Sequence, residues 1–356
     1  MVSLAEVLRR HWPQYEQRFG AKLLPSHRRA VQAILSCRTR ELGGEVFRCV
    51  DCARDHYVYH SCNHRACPRC GHQEASEWLE RQKLKLLPAT YYLITFTVPE
   101  GLRAWLRSNQ QVGYNLLLKE SAATLQEVAG REKYLGAQLG FLSVLHTWGR
   151  QLQFHPHVHC VVPAAGLRED RLRWCQPPSP DFFLPQQVLA ARLRNRLKQA
   201  LQEQEPTAPI PAGVWRQKWV VDVQEVGRGE TALGYLSAYV YRTALGSQSI
   251  LQDQDGEITF RYKDSDHQQW QVMRLGALEF IRRFLQHVLP KGFQRVRYYG
   301  WLSPAAKERW ERILALLDWK PPERTPPPKP ELRCPYCGCT KLFWITTLTR
   351  GPPEAC

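Results

Sequence analysis

No apolar run in the 356 residues approaches the roughly 18 to 20 that a bilayer-spanning helix requires, and the longest strongly apolar stretch is Tyr91 to Val98. That excludes a helical membrane protein. The opening segment lacks a secretory apolar core and a small-residue cleavage site, so the expected location is the cytoplasm. Also missing are a Gly-rich phosphate loop, a regular βαβ alternation and internal repeats. Without them a nucleotide cofactor is not expected.

Acidic residues are comparatively scarce: 33 Asp and Glu face 49 Lys and Arg, a formal net charge of +16. Such an excess favours an acidic polymer as partner, because each cation that neutralises a phosphate releases condensed counterions. With 44% apolar residues the chain can still build real cores, and its length allows two or three domains. Twelve cysteines in a reducing compartment read as metal ligands rather than disulfides. Their clustering supports this, with six between Cys37 and Cys70 and three between Cys334 and Cys339.

Residues 1–88 read as two helices, a Cys-rich module without apolar bulk and a charged helix. Residues 89–270 read as strands interspersed with helices, with strands at TYYLITFTVP, 139–148, 154–163, QKWVVDVQEV and EITFRYK. This pattern predicts an α+β domain around a central, largely antiparallel sheet flanked by helices. Residues 271–320 read as a helical C-terminal part, and 321–356 as a Pro-rich linker and Cys-containing tail.

The most specific chemistry lies in FHPHVHCVVP. His155, His157 and His159 alternate along a strand, so their side chains leave one face. A single histidine there would more often be a satisfied core residue; three at period two point to a metal. Pro156 disturbs the first position, which leaves His157 and His159 as the safer pair. A third ligand is open between His155, His146 on the neighbouring strand, and an unidentified Gln or carboxylate. Either Mn²⁺ or Mg²⁺ suits such a site.

Tyr235 and Tyr239 stand at i and i+4, on one face of a helix. Taken alone, that spacing more often signals packing; beside the histidine strand it suggests two phenols facing one pocket. Arg242 lies close enough to hold a phosphate. In FQRVRYYGW, Arg295 and Arg297 between aromatic rings suit single-stranded DNA as well as they suit a packed element with solvated arginines.

Cys49-x-x-Cys52 and Cys67-x-x-Cys70 have the spacing of a structural zinc ribbon. Cys37, Cys62 and His64 are left over for a second zinc, and Cys62 is an alternative member of the first. Arg65 and Arg69 around the knuckles suggest DNA contact. Cys334 and Cys337 form a third knuckle, whose completion into a further zinc site is open.

In order along the chain, CRT followed by LGG, then LHTWG, HPHVHCVVP, a YLxxYVxR helix, FQRVRYYG and CPYCG together resemble the rolling-circle transposases of the IS91 group, within the HUH endonuclease superfamily. The resemblance implies an HUH-type nuclease domain with an N-terminal zinc-binding domain. It implies a transposase that cleaves and rejoins single-stranded DNA at mobile-element ends and target DNA, through a 5′-phosphotyrosine. His157 and His159 would hold the ion, and Tyr235 and Tyr239 would be the nucleophiles. Ala238 and Ala164-Ala165-Gly166 depart from the group's pattern. Alternatives are a plasmid or phage replication initiator, a relaxase of the same chemistry, and a non-enzymatic zinc-finger DNA-binding protein. The last requires the histidine strand and the tyrosine helix to lie far apart.

Overall fold

The computed structural model describes residues 2–179, 182–241, 245–246, 248–264, 269–323 and 331–351, without the side chains of 238 and 239. In chain order the elements are α1 (Leu4–Phe19), α2 (Pro25–Ser36), β1 (Gly44–Cys49), β2 (Asp55–Tyr59), α3 (His72–Lys83), β3 (Tyr91–Thr97), α4 (Glu100–Ser108) and α5 (Gln110–Ala129). Then come β4 (Gly140–Trp148), β5 (Phe154–Pro163), β6 (Gly166–Leu167), β7 (Trp174–Cys175), α6 (Gln186–Gln204), β8 (Val220–Glu225) and α7 (Glu230–Val240). The chain continues with β9 (Ile250–Gln254), β10 (Glu257–Lys263), β11 (Trp270–Gly276), α8 (Ala277–Leu285), β12 (Val296–Gly300), α9 (Lys307–Leu317) and β13 (Leu342–Leu348).

Five strands form the central sheet in the order β12-β4-β5-β3-β8, every neighbouring pair antiparallel. The expected α+β architecture is therefore present. Alternation divides its side chains between two cores. Phe96, Phe141, Leu145, Val158 and Val162 lie with apolar residues of α4, α5 and α6, including Leu106, Leu117 and Leu193. The opposite face sends Leu142, Val144 and Val161 against Trp78 of α3 and Ala232, Leu233 and Leu236 of α7. A separate core joins α1 and α2 to β9, β10 and α8, through Leu8, Ile34, Phe260 and Phe280.

Residues 271–320 do not form a separate helical part. The Trp270–Gly276 segment is a strand, α8 packs into the core of the N-terminal helices, and Val296–Gly300 is an edge strand of the central sheet. Valine and aromatic residues in RVRYYG fit a pleated surface, and pairing with β4 decides for the strand. The tail is also different from a loose appendage: β13 adds to β1 in a β13-β1-β2 sheet.

Trp301 is buried and closes a further small core with Leu87, Leu167 and Ile313. A Cβ at Gly140 would lie 2.1 Å from its ring, so only glycine lets the strand and the indole approach. Gly140→Ala is expected to lower stability by about 1–3 kcal/mol, the usual cost of overpacking, read as a lower midpoint in urea unfolding. An unchanged midpoint would show that the indole moves aside freely.

Candidate active site and cysteine clusters

Strand register assembles the histidines. β5 pairs His159 with Thr95 on one side and Val144 on the other, and pairs His157 with Thr97 and His146. Residues directly opposite share a face, so His146, His157, His159 and Thr95 all project toward the α7 side. One ligand nitrogen from each of the three histidines lies within 4.8 Å of the others. His146 is thus the histidine that joins the pair. His155 stays outside this group, with its ring 5.2 Å from that of His157.

The Nδ1–H of His157 donates to the His155 carbonyl at 2.6 Å, which turns Nε2 inward. Nδ1 of His159 is engaged by the Thr95 hydroxyl at 2.9 Å, and the two Nε2 atoms stand 3.1 Å apart. Desolvation is the first cause of depressed basicity at all three. It holds His157 down to about 4 and keeps His146 and His159 well below the usual imidazole range. Neutral imidazoles carry the lone pairs that a cation needs. The donor set and its tautomers therefore fit a divalent transition ion.

Helix α7 crosses this face because Ala232, Leu233 and Leu236 bury themselves against Val144 and Val161. Tyr235, on the flank of that stripe, is 44% exposed, and its ring stands perpendicular to the His159 ring at 6.0 Å between centroids. A phenol open to solvent beside three convergent imidazoles suits a nucleophile. Tyr239 follows one turn later in the same helix; its side chain, like Arg242, lies outside the described residues.

Sequence reasoning missed the supports behind this arrangement. Trp148 stacks on His146, 5.3 Å between centroids and 8° from parallel. Buried His287 donates from Nε2 to the Leu152 carbonyl at 3.2 Å and accepts from the Thr147 hydroxyl at 3.3 Å. Burial pushes its pKa down to about 4. A lone histidine in the turn after an apolar helix carries no signal for this role.

Arg295 is placed differently from a surface DNA contact. It is buried, lies over the Trp148 ring at 5.6 Å and reaches the Val240 carbonyl at 3.5 Å. Arg297 is hydrogen-bonded to Asn115 and lies over Phe293. Arg65 donates to the Phe293 carbonyl at 2.7 Å, and exposed Arg69 donates to the Cys37 carbonyl at 3.3 Å.

The cysteines group otherwise than their spacing predicts. Cys67 and Cys70 converge with Cys37 and Cys62, while Cys49 and Cys52 converge with Cys334 and Cys337. The ribbon Cys49-Cys52-Cys67-Cys70 is therefore corrected to two quartets. His64 instead accepts the Ala66 amide through Nδ1. Sulfur–sulfur distances of 3.5 Å (Cys37–Cys70 and Cys49–Cys337), 3.6 Å (Cys52–Cys334) and 3.7 Å (Cys62–Cys70) are far too long for a disulfide. They suit thiolates around one tetrahedral ion, whose edges measure about 3.8 Å when each metal–sulfur bond is about 2.3 Å. Hydrogen bonds between the sulfurs, that with Cys62 foremost, hold the Cys37 thiol far below the ordinary thiol range.

Comparison with known proteins places the chain in a family. Residues 140–309 match the family described as "Putative transposase", and residues 7–98 match the "Transposase zinc-binding domain". The chain is 37% identical to "Putative transposase y4qJ" of Sinorhizobium fredii, over 99% of this chain and 97% of that one. It is 28% identical to the transposase for insertion sequence element IS801 of Pseudomonas savastanoi pv. phaseolicola, over 88% of this chain and 82% of that one. A metal-free structure of the conjugative relaxase TrwC in complex with OriT DNA covers 64% of this chain and 72% of its own at 12% identity. Its TM-score against this chain is 0.28. The two matched domains are those of a zinc-binding transposase, a nucleic-acid-cleaving enzyme. The chain belongs to the IS91 family of insertion-sequence transposases. No helix among its described residues is long and apolar enough to cross a membrane.

Two closed thiolate quartets predict two zinc ions per chain by elemental analysis. Cys334→Ser/Cys337→Ser is expected to retain one. Loss of both from that variant, or none, would show that the quartets do not bind independently.

Proposed function

We propose that this transposase cleaves and rejoins single-stranded DNA through a 5′-phosphotyrosine, using a divalent ion held by His157, His159 and His146. The observation that carries this reading is the perpendicular Tyr235 ring beside the inward-facing imidazoles. An imidazole donor set favours Mn²⁺ over Mg²⁺ by intrinsic affinity, although availability lets either serve. When bound, the ion supplies Lewis-acid polarisation of the scissile phosphate.

The Tyr235 oxygen attacks phosphorus in line, the bond to the 3′ oxygen breaks, and that oxygen leaves as a 3′-hydroxyl. The phosphoryl group stays on the tyrosine. A later attack by a 3′-hydroxyl from the same or another strand releases the tyrosine and joins DNA without a nucleotide cofactor. Tyr239, one turn along α7, is assigned as the second nucleophile. Alternate use of two phenols moves an insertion sequence by a rolling-circle-like route, in the cytoplasm where the chromosome lies. Zinc at Cys37, Cys62, Cys67 and Cys70 and at Cys49, Cys52, Cys334 and Cys337 is structural, because four thiolates leave no open position. A zinc-finger protein without an enzymatic site is disfavoured, since histidine strand and tyrosine helix meet.

Single-stranded oligonucleotides spanning the ends of the encoding element, with Mn²⁺ or Mg²⁺, are expected to give a denaturant-resistant protein–DNA adduct. Tyr235→Phe/Tyr239→Phe abolishes it, and His157→Ala/His159→Ala lowers its rate by about 100-fold or more, as loss of several kcal/mol of metal assistance requires. Absence of adduct from the parent chain rejects the mechanism. Thr95→Val removes the bond that orients His159 and is expected to raise the Mn²⁺ concentration for half-maximal cleavage by about 10–100-fold, with a similar rate at saturation.

A further inference from the structure

The β9–β10–β11 sheet turns one face into a core and leaves the other uncovered. Ile258 and Phe260 are buried with Ile250, so the opposite residues of β10 and β11 point outward. Cross-strand pairing puts Lys263 beside Trp270, Arg261 beside Val272 and Thr259 beside Arg274 on that outer face. Trp270 is 62% exposed and Val272 59%. The Arg261 guanidinium already lies over the Trp270 ring at 4.9 Å. Arg261 and Lys263 therefore flank an open indole, and Arg274 stands further along the same face. Glu257 is the carboxylate described on this face, and its pairing with Gly276 puts it at the end away from Trp270.

The aromatic, basic end of the sheet is tied to the candidate active site. Arg150, in the turn between β4 and β5, donates to the carbonyls of Lys263 at 2.7 Å and Asp264 at 2.9 Å. Gln151 donates to the Tyr262 hydroxyl at 3.1 Å. The same hairpin carries His146 and His157, so the platform and the imidazoles belong to one hydrogen-bonded body.

We propose that this outer face is a second landing surface for single-stranded DNA, which stacks a base on Trp270 and sets phosphates against Arg261, Lys263 and Arg274. The proposal rests on the single-stranded DNA reading given above. The chemistry selects the occupant: a flat exposed ring takes any base, while three cations take the backbone. A second copy of this face would set three cations against three, which disfavours self-association there.

The test uses the full, zinc-loaded chain and fluorescence anisotropy of a labelled oligothymidylate. Trp270→Ala is expected to weaken binding by about 5- to 100-fold, the worth of one base–aromatic stack, while Trp270→Phe stays within about threefold of the parent by keeping a ring. Arg261→Gln/Lys263→Gln/Arg274→Gln is expected to reduce the slope of log affinity against log salt by about 2, from three phosphate contacts at about 0.7 each. Parent-like affinity and slope in both variants would overturn the proposal. So would parent-like DNA binding with changed self-association of Trp270→Ala in sedimentation. Adduct formation on a short element-end oligonucleotide is measured beside these; its absence from the parent strikes the catalytic reading, whereas its retention with unaltered anisotropy strikes only the platform.

Discussion

The register of β5 between β3 and β4 is the constraint on which the site depends. Because side chains alternate with period two, a slip of one residue would turn His157 and His159 into the α4–α5–α6 core and bring Val158 out beneath α7. The register is held by apolar burial on both faces, not by the histidines themselves. Val158 and Val162 anchor one side and Val161 the other. Once β5 is fixed, the His155 carbonyl and the Thr95 hydroxyl aim the two rings. The tyrosine helix then needs only its Ala232, Leu233 and Leu236 stripe to arrive beside them.

Much of this was readable along the chain, because it depends on local periodicity. The β4–β5 hairpin, its inward-facing imidazoles and the i, i+4 tyrosines follow from spacing alone. The choice of His146 over His155 did not, since it turns on which residue of β4 lies opposite His157. Thr95 was hidden for the same reason: a threonine in a strand is ordinary until its cross-strand neighbour is known. The arginines of FQRVRYYGW leave DNA contact and packing equally open in the sequence, because basic and aromatic letters suit both surfaces and cores. Burial of Arg295 over Trp148 shows which use the fold makes of that residue. The cysteines misled most, because two adjacent knuckles have ribbon spacing yet choose partners elsewhere, Cys49 taking one 288 residues away.

The N-terminal module is more than an appended clip. Gly71, immediately after Cys70, adopts φ +81° and would drive a Cβ to 2.5 Å from the Tyr241 carbonyl, just beyond α7. Arg65, two residues before Cys67, is bonded to the Phe293 carbonyl, close to Arg295. The cluster of Cys37, Cys62, Cys67 and Cys70 thus abuts the end of the helix that carries the tyrosines. Arg295 links the same helix end to Trp148 and, through ring stacking, to His146. Disturbance of these thiols therefore reaches the tyrosine helix through a few packed contacts rather than through a flexible linker.

The quartet that joins Cys49 and Cys52 to Cys334 and Cys337 also fixes an order of assembly. As the nascent chain leaves the ribosome, the first two thiols emerge with half a coordination shell, and β1 waits with one edge unpaired. Their partners and β13 arrive only after every strand of the central sheet has been made. A product of premature termination would keep the histidines and tyrosines but never close this ring of sulfurs. Such a truncated chain would present an open edge on β1 and two cysteines without their distant partners.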